Sequence, residues 1–168
     1  MIINGEMSEE RNNPQRREFL AEAVRLSVES VRTGGGPFGA VIVKGGEIVA
    51  SGVNRVAPDN DPTAHAEVVA IRSACRSLST FNLAGCEIYA SCEPCPMCLS
   101  AIYWARLDSV WFAADRVDAM KAGFDDDRIY REIELPMEAR SIPCHQIKLD
   151  DDLHSFELWA RLSGKVEY

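Results

Sequence analysis

No apolar run in this chain is long enough to cross a bilayer: the most apolar stretch, Pro96 to Ala105, is about half of what a spanning helix needs. No lysine-rich run interrupts a balance of 26 acidic against 18 basic residues. The resulting net charge of -8 counts against a polyanionic partner, because nucleic-acid affinity rests on cationic contacts to phosphate. Neither nucleic acid nor membrane is therefore an expected partner. Met1 to Pro14 is polar and lacks the apolar core of a secretory signal, so the protein is expected to be soluble and unprocessed. Six cysteines without such a signal indicate a reducing compartment, the cytoplasm, where thiols act as ligands or core packing more often than as bridges. Repeats, linkers and low-complexity tracts are absent as well. A chain of 168 residues, 46% hydrophobic, buries roughly 70% of its unfolded surface as one domain, so neither metal nor disulfide is needed merely to fold it. The expectation is a single domain over 1–168, with 1–13 flexible.

The pattern that remains alternates helix and strand. Asn13 caps a helix from Pro14, with Leu20, Ala23, Val24 and Val31 at helical spacing until Gly34 to Gly36. Phe38 to Val43 and Glu47 to Val53 read as strands of a hairpin turning at Gly45-Gly46. Asn54 to Pro62 reads as a loop, and Thr63 as the cap of a helix from about Ala64 to Leu78. Cys86 to Ser91, a helix from Pro96, and Leu107 to Ala113 form a strand, helix, strand unit, which implies a parallel pair. After a second acidic loop, Ile142 to Leu149 supplies a fifth strand and Leu153 to Leu162 a terminal helix. The fold class is α/β: a three-layer α/β/α domain with a five-stranded mixed sheet and a parallel portion at its heart.

Two short segments carry the chemistry. His65-Ala66-Glu67 and Pro94-Cys95-Pro96-Met97-Cys98 offer one imidazole, two thiols and a carboxylate not needed as a ligand. That is the inventory of a catalytic zinc site with an open fourth position. His-x-Glu paired with Pro-Cys-x-x-Cys is the recognised signature of zinc deaminases, so the first reading is a deaminase of a nitrogen heterocycle. Spacing Cys95 and Cys98 three apart at a helix start puts both sulfurs near free N–H groups, which favour thiolate. Glu67 is then the proton shuttle between water, ring nitrogen and leaving ammonia. Residues two apart on a regular helix face apart, so His65 and Glu67 converge only where the helix entry is irregular. The alternatives are a closed Cys3His structural site with Cys92 as fourth ligand, and a redox Cys-x-x-Cys, which would leave His65 and Glu67 idle. Cys75, Cys86 and Cys144 read as core, and His145 and His154 as surface or edge.

At these motifs the chain resembles the cytidine deaminase superfamily, and within it the small bacterial guanine deaminases. The resemblance runs from Pro14 to Tyr168 and includes Gly35 to Ala40, Asn54-Arg55-Val56, Pro62 to Glu67, Ser91 to Cys98, Ala101 to Arg106, Ala122 to Asp126 and Glu167-Tyr168. It implies one zinc per subunit on His65, Cys95 and Cys98, with Glu67 as general acid and base. It implies substrate contacts at Asn54 and Ala66, aromatic walls at Phe38 and Trp104, and an acceptor for a purine N–H at Asp126. It further implies a homodimer whose C-terminal segment crosses to the neighbour, so that Asp126 and Tyr168 act in trans. The reaction it implies is guanine plus water to xanthine plus ammonia, with guanosine or another nucleobase or nucleoside as the alternative substrate. A reading of another class is a non-catalytic module that zinc merely stabilises.

Overall fold

The computed structural model describes residues 13–167, so the flexibility expected of 1–12 and the role expected of Tyr168 lie outside the described residues. These residues form two compact units, 13–126 and 127–167.

The first unit opens with α1, Pro14–Arg32, whose cap is Asn13: its side chain accepts the Gln15 N–H at 3.0 Å, and proline occupies the first helical position. β1, Gly39–Lys44, and β2, Glu47–Val53, form the expected hairpin. Gly45 and Gly46 take φ of 58° and 83°, the left-handed region a two-residue turn demands and which glycine enters freely. The segment read as a loop contains one short helix, α2, Val56–Asp59. Next come α3, Ala66–Leu78; β3, Cys86–Cys92; α4, Pro96–Trp104; β4, Ser109–Ala114; and α5, Arg116–Lys121.

The sheet order is β2-β1-β3-β4, with β1 antiparallel to both β2 and β3, and β3 parallel to β4. The parallel pair was expected, but it occupies one edge of the sheet rather than its heart. Successive side chains of β1 point to opposite faces, and both faces are covered. Val41 and Val43 join Leu26 of α1, Tyr89, Phe19, Leu20 and Trp111 on one side. Ala40 and Ile42 join Ala66, Ala70, Ile71 and Ala74 of α3, with Ile88, on the other. Truncating a fully buried residue of this kind, such as Ile88, to alanine costs about 2–5 kcal/mol.

Two glycines set the spacing of these layers. A Cβ at Gly52 would stand 2.3 Å from the Ala66 carbonyl oxygen and 2.5 Å from the Ala70 nitrogen, so only glycine admits α3 this close to β2. A Cβ at Gly39 would meet the Ala23 carbonyl oxygen at 2.4 Å and the Ser27 nitrogen at 2.6 Å, which is the same arrangement against α1.

The second unit contains α6, Asp127–Glu134; a 3-10 turn, Met137–Ala139; and α7, His154–Arg161. Its local order comes from polar links such as the Ser141 N–H donating to Glu132 Oε2 at 2.8 Å and Arg140 Nε donating to the Leu135 carbonyl at 3.1 Å. No residue from 127 to 167 is buried. The fifth strand expected at Ile142 to Leu149 is absent: the segment has no strand partner among the described residues, and Ile147 is 81% exposed. Cys144 is exposed rather than core, while Cys86 is buried and Cys75 half-buried.

Candidate metal and active site

The two motifs meet at the starts of α3 and α4. Thr63 was the expected cap of α3, but its N–H and hydroxyl both engage Asp61 Oδ1, at 2.8 and 2.7 Å, in a tight turn before the helix. The N-cap is His65 itself, with φ -68° and ψ 153°, and helical geometry begins at Ala66. The entry is therefore irregular in the sense His65 and Glu67 require. Cys95 is likewise the N-cap of α4, Pro96 follows at the first helical position, and Cys98 lies in the first turn.

His65 Nδ1 stands 3.5 Å from Cys95 Sγ and 3.5 Å from Cys98 Sγ. These three ligand atoms lie within 4.8 Å of one another. A tetrahedral zinc with bonds of about 2.05 Å to nitrogen and 2.3 Å to sulfur requires N···S separations of about 3.6 Å, so the donor set fits the ion in both chemistry and spacing. Cys92 is not part of this group: it is buried, and its thiol donates to the Asp115 carbonyl at 3.5 Å. Burial pushes that thiol up to about 11, with the Glu67 charge adding to the effect. A fourth protein ligand is thus missing among the described residues, which leaves a coordination position for water or substrate.

A hydrogen bond from the Cys98 thiol, followed by His65 and the Cys98 backbone N–H, holds Cys95 below the usual thiol range. The bond to Cys95, and then burial, raises Cys98. The hydrogen bond to Cys95 raises His65. Glu67 is buried in the first turn of α3, and burial, supported by the Cys95 charge, lifts its carboxyl above the usual range.

The remaining expected residues fall into place unevenly. Asn54 is buried just past β2, where its Oδ1 accepts the N–H groups of Gly36 at 3.1 Å and Val56 at 3.2 Å. That oxygen is already committed, so what Asn54 can offer a ligand is its amide NH2. Asp126 is half-buried and is raised by burial and then by the Cys95 charge, which puts it electrostatically within reach of the thiolate centre. Phe38 is half-buried and packs edge-to-face on Phe124, centroids 5.0 Å apart. A pocket of about 300 Å³ runs along that pair and past Ser91 and Cys92; none of the three ligands lines it. Ala66 is fully buried, its carbonyl against Gly52. Trp104, at the end of α4, is 64% exposed.

Sequence reasoning missed Ser30, whose hydroxyl donates to the Asn54 carbonyl at 3.1 Å, and Gly36. A signal was present: Ser30 is a polar residue on the helix face that carries Ala23 and Leu26.

Residues 13–114 match the cytidine and deoxycytidylate deaminase zinc-binding region. The chain is 56% identical over 151 residues to guanine deaminase of Bacillus subtilis, covering 89% of this chain and 97% of the relative. The crystal structure of guanine deaminase from Bacillus subtilis superposes with a TM-score of 0.88 at 55% identity, over 90% of this chain and 98% of that one. A structure of guanine deaminase from Nitrosomonas europaea gives 0.63 at 32% identity, over 67% and 65%. With the two motifs at ligand spacing, a buried glutamate beside them and this breadth of similarity, the chain belongs to the cytidine and deoxycytidylate deaminase zinc-binding family.

Proposed function

We propose that this chain hydrolyses guanine to xanthine and ammonia. The observation that carries the reading is the His65 Nδ1 at 3.5 Å from both cysteine sulfurs with Glu67 buried beside them; similarity to guanine deaminases selects the substrate. His65, Cys95 and Cys98 would hold one zinc per subunit, which supplies the Lewis acidity that makes water a competent nucleophile near neutral pH. Glu67 would accept a proton from the attacking water and deliver it to the ring nitrogen next to the amino-bearing carbon, then take the proton of the hydroxyl newly added at that carbon and pass it to the departing amine, which leaves as ammonia. Asn54 donates to an acceptor on the base, Asp126 accepts a ring N–H, Ala66 and Phe38 border the ring, and Trp104 closes over it. A non-catalytic zinc module has no use for a buried carboxyl, whose desolvation costs stability.

The whole chain, 1–168, acts as one catalytic domain in a cytoplasmic homodimer, and its C-terminal segment, including Tyr168, completes the neighbour's site. What supports this is a second unit that buries nothing by itself while exposing Ile142, Ile147, Leu149, Phe156 and Leu158. No described helix is long and apolar enough to cross a membrane, and the acidic charge disfavours a nucleic-acid substrate.

The test is ammonia release by the zinc-loaded protein from a panel of free bases and nucleosides. Guanine should be the best substrate. Preference for a nucleoside or another base would overturn the substrate assignment, and no turnover at full zinc occupancy would overturn the enzymatic one.

A further inference from the structure

We propose that Ser30, on α1, is a positioning residue for substrate selection and acts through Asn54; this rests on the reading of Asn54 as a contact to the base. Asn54 is held at four points. Its N–H donates to the Phe38 carbonyl at 3.0 Å, its carbonyl accepts the Ser30 hydroxyl at 3.1 Å, and its Oδ1 accepts the Gly36 and Val56 N–H groups. Two converging backbone N–H groups can face only the oxygen of the side-chain amide, which fixes its rotation. The NH2 is the end left over, and it has no hydrogen-bond partner among the described residues. Asn54 is placed next to the metal ligands, since the Arg55 N–H donates to the carbonyl of Ala64, the residue before His65, at 2.8 Å.

A locked donor demands an acceptor. Guanine presents a carbonyl oxygen and an unprotonated ring nitrogen along one edge. A base with an exocyclic amine in place of that oxygen sets N–H against N–H, and a site built to pair a polar group penalises a ligand that leaves it unpaired.

The clamp is built around Ser30. Its backbone carbonyl accepts the Gly35 N–H at 2.8 Å, while its hydroxyl reaches Asn54. A Cβ at Gly35 would stand 2.1 Å from the Asn54 carbonyl oxygen and 2.4 Å from Ser30 Oγ, and one at Gly36 would stand 3.3 Å from Asn54 Oδ1. Ser30 is fully buried, on a helix face where alanine would pack as well, so Asn54 accounts for its hydroxyl.

A double-mutant cycle tests this, reading kcat/KM on guanine with zinc content and melting temperature measured alongside. Asn54→Ala should lower kcat/KM by about 100-fold and Ser30→Ala by about tenfold, both with zinc retained. In the Asn54→Ala background, Ser30→Ala should change nothing further, because its effect passes through the missing amide. Losses that simply multiply, or an unaffected Ser30→Ala enzyme, would overturn the proposal. Should Ser30→Ala fold poorly, Ser30→Cys replaces it in the cycle, since its thiol fills the same buried position but donates only weakly to the Asn54 carbonyl. Wild-type turnover of guanine separates the outcomes: its absence defeats the functional reading, whereas a harmless Asn54→Ala with turnover intact defeats the clamp alone.

Discussion

His65 and Glu67 lie on either side of a single residue yet differ in backbone geometry, because helix α3 begins between them. His65 is extended at the N-cap, while Glu67 already lies in the first turn. In the proposed reaction the ligand and the proton carrier thus approach one centre from different backbone geometries, which makes their functions separable.

Glu67→Gln should therefore keep zinc and fold yet lose about 100- to 10,000-fold in turnover, the range expected when a general acid and base is removed. Metal analysis and steady-state kinetics on guanine check it; turnover near the wild-type value would remove Glu67 from the reaction.

Cys95→Ala should lose zinc and activity together, since two ligands do not define a tetrahedral site. Cys92→Ser should retain zinc, because its thiol is engaged by the Asp115 carbonyl. Full occupancy in Cys95→Ala, or loss of metal from Cys92→Ser, would show that Cys92 is a ligand.

Asp126→Ala should raise KM for guanine by about tenfold or more while shifting the melting temperature little, as expected of a half-buried carboxyl that serves the ligand rather than the core. The opposite result, lower melting with unchanged kinetics, would make Asp126 structural.

Acid stability should depend on Glu87. Burial alone would raise its carboxyl, but hydrogen bonds from Arg16 at 2.8 Å, Ser109 at 2.8 Å and Tyr89 at 2.9 Å outweigh burial and hold it below the usual carboxylate range. A carboxyl lowered by folding stabilises fully above its unfolded pKa, and that stability disappears as pH falls through the depressed folded value. Glu87→Gln should cost about 2 kcal/mol at neutral pH, with the gap to wild type closing toward the acid end of a series of melts. A gap that stays constant across pH would rule out the charge as its cause.

The exchange of C-terminal segments is tested by mixing. A chain lacking Lys165 to Tyr168 should stay folded and zinc-loaded but nearly inactive, and subunit exchange with Glu67→Gln protein should restore activity. The intact Glu67 then receives a full-length tail from its neighbour. No recovery, with exchange shown by mass spectrometry, would exclude the trans arrangement.

Much of this fold is legible in local pattern. The hairpin follows from Gly45-Gly46, and α1 from its cap and spacing. The three metal ligands follow from two motifs at helix starts. What escaped depends on partners far along the chain. Ile142 to Leu149 has the composition of a strand, but a strand exists only where another offers its hydrogen bonds, and among the described residues none does. Helix α5, inside the segment read as an acidic loop, was readable: Asp115 and Asp118 form a reciprocal capping box, the Asp118 N–H donating to Asp115 Oδ1 at 2.9 Å. The orientation of the Asn54 amide was not, since Gly36 lies eighteen residues before it.

Gly39 and Gly52 make this architecture divisible for protein engineering. Where they sit, helix backbone rests directly on strand backbone, at Ala23 and Ser27 on one face and at Ala66 and Ala70 on the other. The second contact adjoins His65 and Glu67, and there α3 rests on β2 through main chain. Substitutions in the cluster of Leu26, Val41, Val43 and Tyr89 can then be selected for thermal resistance without retuning the ligand spacing. Any side chain at position 52 meets the backbone of α3 at Ala70 and at Ala66, the residue between His65 and Glu67, which makes position 52 a poor target for stabilisation.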